Sequence, residues 1–308
     1  MTVFIVIAVH NRVAATLRCL QDLARQKDQP MRIIVIDGGS TDGTAQAVVQ
    51  EHPGVEVIAP GENLWWTQAM ALGVERAREQ AKSGDFVLSL NDDVEIDDER
   101  YLSKIVALSQ SHGRALAGST CWKDRARTRR ESGGGWARWN TGMLIFDDMV
   151  DDRTEPLLLD FIVGRGLLIP IEVFDRVGNF NAADFPQYCS DTDFTLRARE
   201  AGFHLVASRS VELFHAMPTR SARIGHFFLS YHDAWARLTG VNSSYSLSQN
   251  YRFLRRHCPP RFAVRAGTAF TLKAFLFTLF QTFPLGLIGV PLLWSINRTW
   301  KRGFAGTE

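Results

Sequence analysis

A chain of 308 residues with 45% hydrophobic content is long enough to bury a substantial core as one large domain or two modest ones, which excludes a disordered polypeptide. A formal net charge of +2 argues against bulk electrostatic capture of nucleic acid, although basic residues crowd into 123–130 and 252–265. Cys19, Cys121, Cys189 and Cys258 form no CxxC spacing, so neither a disulfide framework nor a zinc site is indicated, and a reducing cytoplasm fits.

The opening MTVFIVIAVHNR lacks a basic leader and a small-residue cleavage site, so it reads as a first strand and not as a signal peptide; a cytosolic protein is expected. Apolar runs of strand length at 2–9, 32–36, 55–59 and 86–90 alternate with segments of helical period near 13–26, 42–51 and 66–82. This alternation predicts parallel strands with crossover helices, an α/β sheet whose ligands sit beyond the carboxyl ends of the strands. Three of those ends are polar, VHNR, DGGSTDGT and NDDV, and they should converge on one crevice. Beyond residue 98 come a helix over 98–112, a strand over 114–119, the basic loop KDRARTRRESGGG and apolar segments at 141–146 and 158–163, a mixed pattern. Near 216 the character shifts to polar and basic helices, then to AFLFTLFQTFPLGLIGVPLLW, residues 274–294, which carries no charge. The expected organisation is a domain over 1–215, in halves 1–97 and 98–215, and a helical region over 216–308.

Within this frame, Asp37 closes the second strand, where paired glycines permit a tight turn and Ser40 or Thr41 can cap the next helix. A carboxylate placed there can accept hydrogen bonds from a nucleobase or ribose. Neither GxGxxG nor a Walker A sequence occurs, which weakens dehydrogenase and phosphate-loop readings. The sparse acidic site NDDV suits magnesium or manganese gripping a diphosphate, whereas Asp97, Asp98 and Glu99 sit where a helix begins and favour its dipole. In SDTDFTLRAREAG, Ser190 and Asp193 fit a capping box. Asp191 has no such duty, and the helix dipole would help keep it ionised, as a general base must be. Gly202 stops that helix and FHLV returns as a strand. His215, at the end of another apolar strand, is either a satisfied structural histidine or a manganese ligand. Asn63 precedes adjacent tryptophans, which either cover the core or turn one indole onto a ligand ring.

In this order the stretches resemble family 2 of the inverting glycosyltransferases, nucleotide-sugar enzymes of the A-type fold. The matching elements are IAVHNR, IIVIDGGSTDGT, ENLWWTQAMALGV, SLNDDV in place of the DxD signature, GRGLLIPIEVFDRVGNFN, and SDTDFTLRAREAG in place of the base-bearing motif. The resemblance runs from about residue 2 to 221. It implies a Rossmann-like mixed α/β sheet flanked by helices, with a nucleotide-sugar half and an acceptor half. It also implies that Asp191 is the catalytic base, that Asp37 contacts the base or ribose, and that Asp93 and His215 hold the metal. Asn11, Asn63, Trp66 and Asp92 would complete the donor site. Asn91 replaces the first acid of DxD, and Ser190 replaces the acid that often precedes the base.

The implied reaction moves a sugar from a UDP- or dTDP-linked donor to an acceptor hydroxyl with Mg2+ or Mn2+, as in rhamnosyltransferase-like bacterial enzymes of surface polysaccharide or glycolipid synthesis. A glycan or lipid-linked acceptor follows, and the arginines of the 123–135 loop could clamp its diphosphate. No nucleic acid partner is expected. Residues 274–294 are long enough to span a bilayer, but Pro284, Gly286, Gly289 and Pro291 interrupt them and basic residues flank both ends. A peripheral place on the cytoplasmic face of the membrane, with Trp294 and Trp300 near headgroups, is therefore expected; the alternative is that these helices pack on the catalytic domain or form a dimer interface. Two alternatives stand: a nucleotidyltransferase of related fold, whose glycine-rich basic loop HNRVAATLR does not supply, and a non-catalytic membrane-associated scaffold that binds nucleotide sugars, suggested by Asn91.

Overall fold

A computed structural model describes residues 1–131, 133–140, 143–146, 155–215 and 229–280. The chain divides into two compact units, one of Met1–Trp136, Arg153–Pro186 and Ser190–Met217, the other of Ala137–Asp152, Gln187–Cys189 and Pro218–Glu308.

The first unit opens with β1 (Val3–Val9), α1 (Val13–Ala24), β2 (Met31–Asp37), α2 (Thr44–Glu51), β3 (Glu56–Ile58), α3 (Trp66–Gln80) and β4 (Phe86–Asn91). These four strands are parallel, as the alternation predicts. β1 reads VFIVIAV, with no polar alternation, because both of its faces are buried. Val3, Ile5 and Ile7 pack with Cys19, Leu20 and Leu23 of α1 on one side. Phe4 and Val6 pack with Ala69, Met70 and Val74 of α3 on the other.

β5 (Val94–Glu95), α4 (Tyr101–Ser111), β6 (Leu116–Trp122), β7 (Arg130–Glu131) and β8 (Gly134–Arg138) follow. The second unit contributes β9 (Met143–Phe146) before the chain returns as β10 (Leu157–Leu158), β11 (Phe161–Ile162), β12 (Leu167–Pro170), α5 (Ile171–Val177), α6 (Ser190–Glu200) and β13 (Leu205–His215). The main sheet runs β10-β13-β6-β12-β4-β1-β2-β3, with β5 added to β13 and β7 to β6. β12 lies antiparallel between β4 and β6, which makes the sheet mixed.

Three local expectations change. The sequence reading assigns no strand to LLIP, yet β12 is central. FHLV and the run before His215 are one strand, β13, whose pairing with β6 shifts register between Ser208 and Glu212. Asp97, Asp98 and Glu99 precede α4, which starts at Tyr101, and they pair with Arg125, Lys104 and Lys27.

In the second unit, α7 (Tyr231–Thr239), α8 (Leu247–His257) and α9 (Pro260–Phe280) are described. Leu254, Cys258 and Ala266 pack with Trp139, Phe262 and Phe270. Within α9, Pro260–Leu279 is long and apolar enough to cross a membrane by length and composition alone. That apolar helix begins before residue 274, where the sequence reading starts its uncharged stretch. Residues 281–294 of that stretch, its prolines and glycines, and Trp294 and Trp300 lie outside the described residues.

Candidate active site

The expected convergence of strand ends follows from the sheet order. β1 pairs Val9 with Asp37 of β2 and Ala8 with Asn91 of β4, so three polar ends lie side by side. The first two are laced together: Asn11 Oδ1 accepts from Thr41 N at 2.7 Å, Ser40 Oγ accepts from Asn11 N at 2.8 Å, and His10 Nδ1 lies 2.9 Å from Gly38 O. Asn11 adopts φ 53°, a left-handed conformation that asparagine tolerates well. Asp37 is only 2% exposed, and its Oδ1 accepts from Ser40 N at 2.7 Å, so it closes the turn whatever else it contacts. Asn63 is exposed on the loop leading to α3.

At the end of β4, each residue of NDD has a separate task. Asn91 Oδ1 accepts from Trp66 Nε1 at 3.2 Å. Asp92 is buried and turned inward, where Thr16 Oγ1 donates to it at 3.1 Å and Arg12 lies 3.3 Å away. Burial pushes the Asp92 carboxyl up to about 6 although Arg12 opposes it. Asp93 meets Arg12 at 3.3 Å and His215 Nε2 at 3.6 Å. Burial works to raise Asp93, but His215, Arg165 and Arg12 outweigh it and hold the carboxyl well below the usual range.

His215 ends β13, and its other ring nitrogen, Nδ1, lies 2.5 Å from Glu131 Oε2. The same oxygen meets Arg165 Nη1 at 3.0 Å. Asp93 and Glu131 together push His215 up to about 9 against the effect of burial. Glu131 is held down to about 2 by His215 and Arg165, despite its burial.

This cluster fits a divalent cation. Asp93 Oδ1 and His215 Nε2 are buried with no hydrogen-bond partner among the described residues. The 3.6 Å separation of Asp93 and His215 is an ion-pair contact, too long for a hydrogen bond. One carboxylate oxygen and one imidazole nitrogen, completed by phosphate oxygens, are a donor set for manganese or magnesium. Cys121, Glu131 and His215 also bring ligand atoms within 4.8 Å of one another. That grouping suits a cation less well, because Arg165 already sits on Glu131 and burial pushes the Cys121 thiol up to about 11.

Asp191 stands in the first turn of α6, partly buried. Gly164 N donates to its Oδ2 at 2.7 Å and Thr192 N to its Oδ1 at 2.8 Å. Burial raises its pKa, and these two bonds only oppose that. Burial thus works against the ionisation that the helix dipole was expected to favour. Of the expected capping box, the Ser190 half does not form: Ser190 Oγ is buried with no hydrogen-bond partner among the described residues, and Asp193 accepts from Arg197 Nε at 2.9 Å.

Trp66 joins the two ends of the site. A Cβ on Gly164 would lie 2.7 and 2.9 Å from two indole carbons, so only glycine lets the ring pass beside the N–H that holds Asp191. Ser89 Oγ fixes the Gly164 carbonyl at 2.7 Å. Trp66 thus forms a packed wall, edge-on to Phe180 at 6.0 Å, and Trp65 is the exposed indole of the pair at 42%.

Sequence reasoning passed over Arg12, Glu131, Gly164 and Arg165 as individual residues. Arg12 and the Gly164–Arg165 pair lie inside motifs already singled out, VHNR and GRGLL, but Glu131 carries no local signal. In the basic loop, Arg125 pairs with Glu95 and Asp97, and Arg127 with Glu212 at 2.7 Å, so these two arginines already have carboxylate partners. A surface depression of 640 Å³ lined by Glu75, Arg78, Lys82, Glu172 and Asp175 lies by the start of β4, away from these groups.

The mixed sheet with polar parallel-strand ends defines an A-type glycosyltransferase fold. It is similar to a solved mannosyltransferase of Pyrobaculum calidifontis in complex with GDP-Man and Mn2+, with a TM-score of 0.57, 15% identity and coverage of 98% of this chain and 82% of that one. It is also similar to S. aureus TarS in complex with UDP, with a TM-score of 0.51, 16% identity and coverage of 83% and 72%. The sequence matches the family described as glycosyl transferase family 2 over residues 4–178, more than half of its length, and the protein belongs to that family. A curated relative from Mycobacterium tuberculosis, N-acetylglucosaminyl-diphospho-decaprenol L-rhamnosyltransferase, is 28% identical over 223 residues, 64% of this chain and 70% of its own.

The packing at Gly164 makes a direct prediction. Gly164→Ala should displace the indole or the N–H donor and lower transfer about a hundredfold, as misplacement near 1 Å does. The melting temperature should fall by about a few degrees, as overpacking does, while the chain still folds. Wild-type turnover in this variant would show that the Trp66 contact does not set Asp191.

Proposed function

We propose that the protein transfers a sugar, with inversion at the anomeric carbon, from a nucleoside-diphosphate donor to an acceptor hydroxyl, with Asp191 as general base. The observation that carries this reading is the linkage around β4. Asp93 and His215 bring together an oxygen and a nitrogen that have no hydrogen-bond partner among the described residues, and Trp66 connects the neighbouring Asn91 to the glycine that holds Asp191.

In this reading Asp191 takes the proton of the acceptor hydroxyl as its oxygen attacks the anomeric carbon opposite the leaving group, and the bond to the diphosphate breaks. Arg12 and Arg165 stand beside Asp93 and match the charge of that diphosphate. A divalent cation bound by Asp93 and His215 supplies further positive charge there. Asp37, Asn11 and Asn63 line the nucleoside end, while Asp92 lies behind and steadies Arg12. The finer assignment is a UDP- or dTDP-linked donor, deoxyhexosyl transfer and a lipid-linked glycan acceptor in cell-surface polysaccharide synthesis; the UDP in the TarS complex supports a UDP-linked donor, and the name of the L-rhamnosyltransferase relative supports a deoxyhexose and a lipid-diphosphate acceptor.

The 1–215 and 216–308 division belongs to the same proposal, with the carboxyl-terminal helices resting on the cytoplasmic face of a membrane. Exposed Val264, Leu272 and Phe275 on α9, and Arg255 and Arg256 in the last turn of α8, support that placement.

Asp191→Asn should lower transfer by about a hundredfold to ten-thousandfold while donor binding and folding persist. The pH profile supplies a second check. A base must be deprotonated, and burial raises Asp191, so activity should fall with decreasing pH at a value above the ordinary carboxylate range of about 3.9. Transfer that persists in the asparagine variant, or that declines only below that range, would remove Asp191 from the role. The membrane placement is checked by flotation with anionic phospholipid vesicles: the intact chain should float, and a Val264→Asp, Leu272→Asp, Phe275→Asp variant should not. Equal flotation of both would contradict it.

A further inference from the structure

We propose that Glu131 is the positioning residue that orients His215 toward the donor-site cation, with Arg165 holding Glu131 from the other side; this rests on the cation reading above. Glu131 sits on β7, a two-residue strand fixed to β6 by the pairing of Cys121 with Glu131 and of Trp122 with Arg130. β13 runs along the same strand, with Leu213 opposite Cys121 and Phe214 opposite Trp122, and His215 is the next residue. The sheet therefore delivers the carboxylate and the imidazole to one place from opposite sides of β6.

The contacts assign a task to each ring nitrogen. Nδ1 donates to Glu131 Oε2 at 2.5 Å, which turns Nε2 toward Asp93. The His215 side chain is only 5% exposed, so solvent does not fix the ring, and Nε2 is buried with no hydrogen-bond partner among the described residues. Glu131 itself is poorly suited to be a ligand, because Oε2 already takes both His215 and Arg165. A carboxylate on the far nitrogen is what a metal-bound imidazole needs: it fixes the tautomer, aims the ring and raises the basicity of the ligating nitrogen.

The test is Mn2+ binding to the full chain in the presence of UDP, followed by electron paramagnetic resonance, for wild type, Glu131→Ala, Glu131→Gln and Asp93→Ala, together with the ring-nitrogen resonances of His215. Glu131→Ala should weaken Mn2+ binding by about tenfold to a hundredfold and mix the His215 tautomers. Glu131→Gln, whose amide oxygen still accepts from Nδ1, should fall between it and wild type, and it decides alone if the alanine variant does not fold. Asp93→Ala should lose Mn2+ whatever Glu131 does. Wild-type affinity and an unchanged tautomer in the Glu131 variants, with Mn2+ lost in Asp93→Ala, would overturn the positioning role and leave the cation site standing. Undiminished Mn2+ binding in Asp93→Ala would overturn the cation reading and this proposal together.

Discussion

Arg165 carries a positive charge into a place where its side chain is 17% exposed, and a buried charge is tolerated only when it is paired. Its partner Glu131 also takes His215, His215 faces Asp93, and Asp93 shares Arg12 with Asp92. Charges of alternating sign thus run through the end of β4, the end of β13, the short strand β7 and the turn after β1. Because each member is held by its neighbours, the arrangement is set before any donor arrives, which is how a site avoids reorganisation during reaction. An incoming diphosphate adds negative charge beside Asp92, Asp93 and Glu131, which is a physical reason for reading the donor as arriving with a divalent cation.

The asparagine at the first position of the acidic motif belongs to the same logic. Its amide oxygen receives the Trp66 indole, and the indole passes beside Gly164, whose N–H holds Asp191. Exchange of a charged group for a neutral acceptor therefore ties the end of β4 to the carboxylate proposed as the base. The non-catalytic alternative prompted by Asn91 loses its motive, since the residue has a structural task, and membership of the family sets aside the nucleotidyltransferase reading.

Much of the first half was legible because its physics is local. Strands buried on both faces appear as uninterrupted apolar runs, and the polar strand ends with Asn11, Asp37 and Asp93 fall where the alternation puts them. β12 was not legible, because LLIP continues directly into the IEVFDRV of α5 and no turn residue separates them. Its place between β4 and β6 is a tertiary fact. The Ser190 half of the capping box does not form although the spacing of Ser190 and Asp193 is right: the helix already begins at Ser190, and Asp193 pairs with Arg197 one turn on. Asp37 looked free for a ligand because its bond to the Ser40 N–H depends on how the glycine turn folds back. Glu131 lies in a basic, aperiodic loop, and only the pairing of β7 with β6 brings it to His215.

Donor binding in the proposed reaction turns on one cation position shared by Asp93 and His215. The most direct measurement is anomalous scattering at the manganese edge from crystals of the full chain grown with Mn2+ and UDP. The account predicts a single strong peak within bonding distance of an Asp93 carboxylate oxygen and of His215 Nε2, with diphosphate oxygens completing the shell. A peak against Cys121 and Glu131, or a diphosphate held by Arg12 and Arg165 with no manganese beside it, would contradict it.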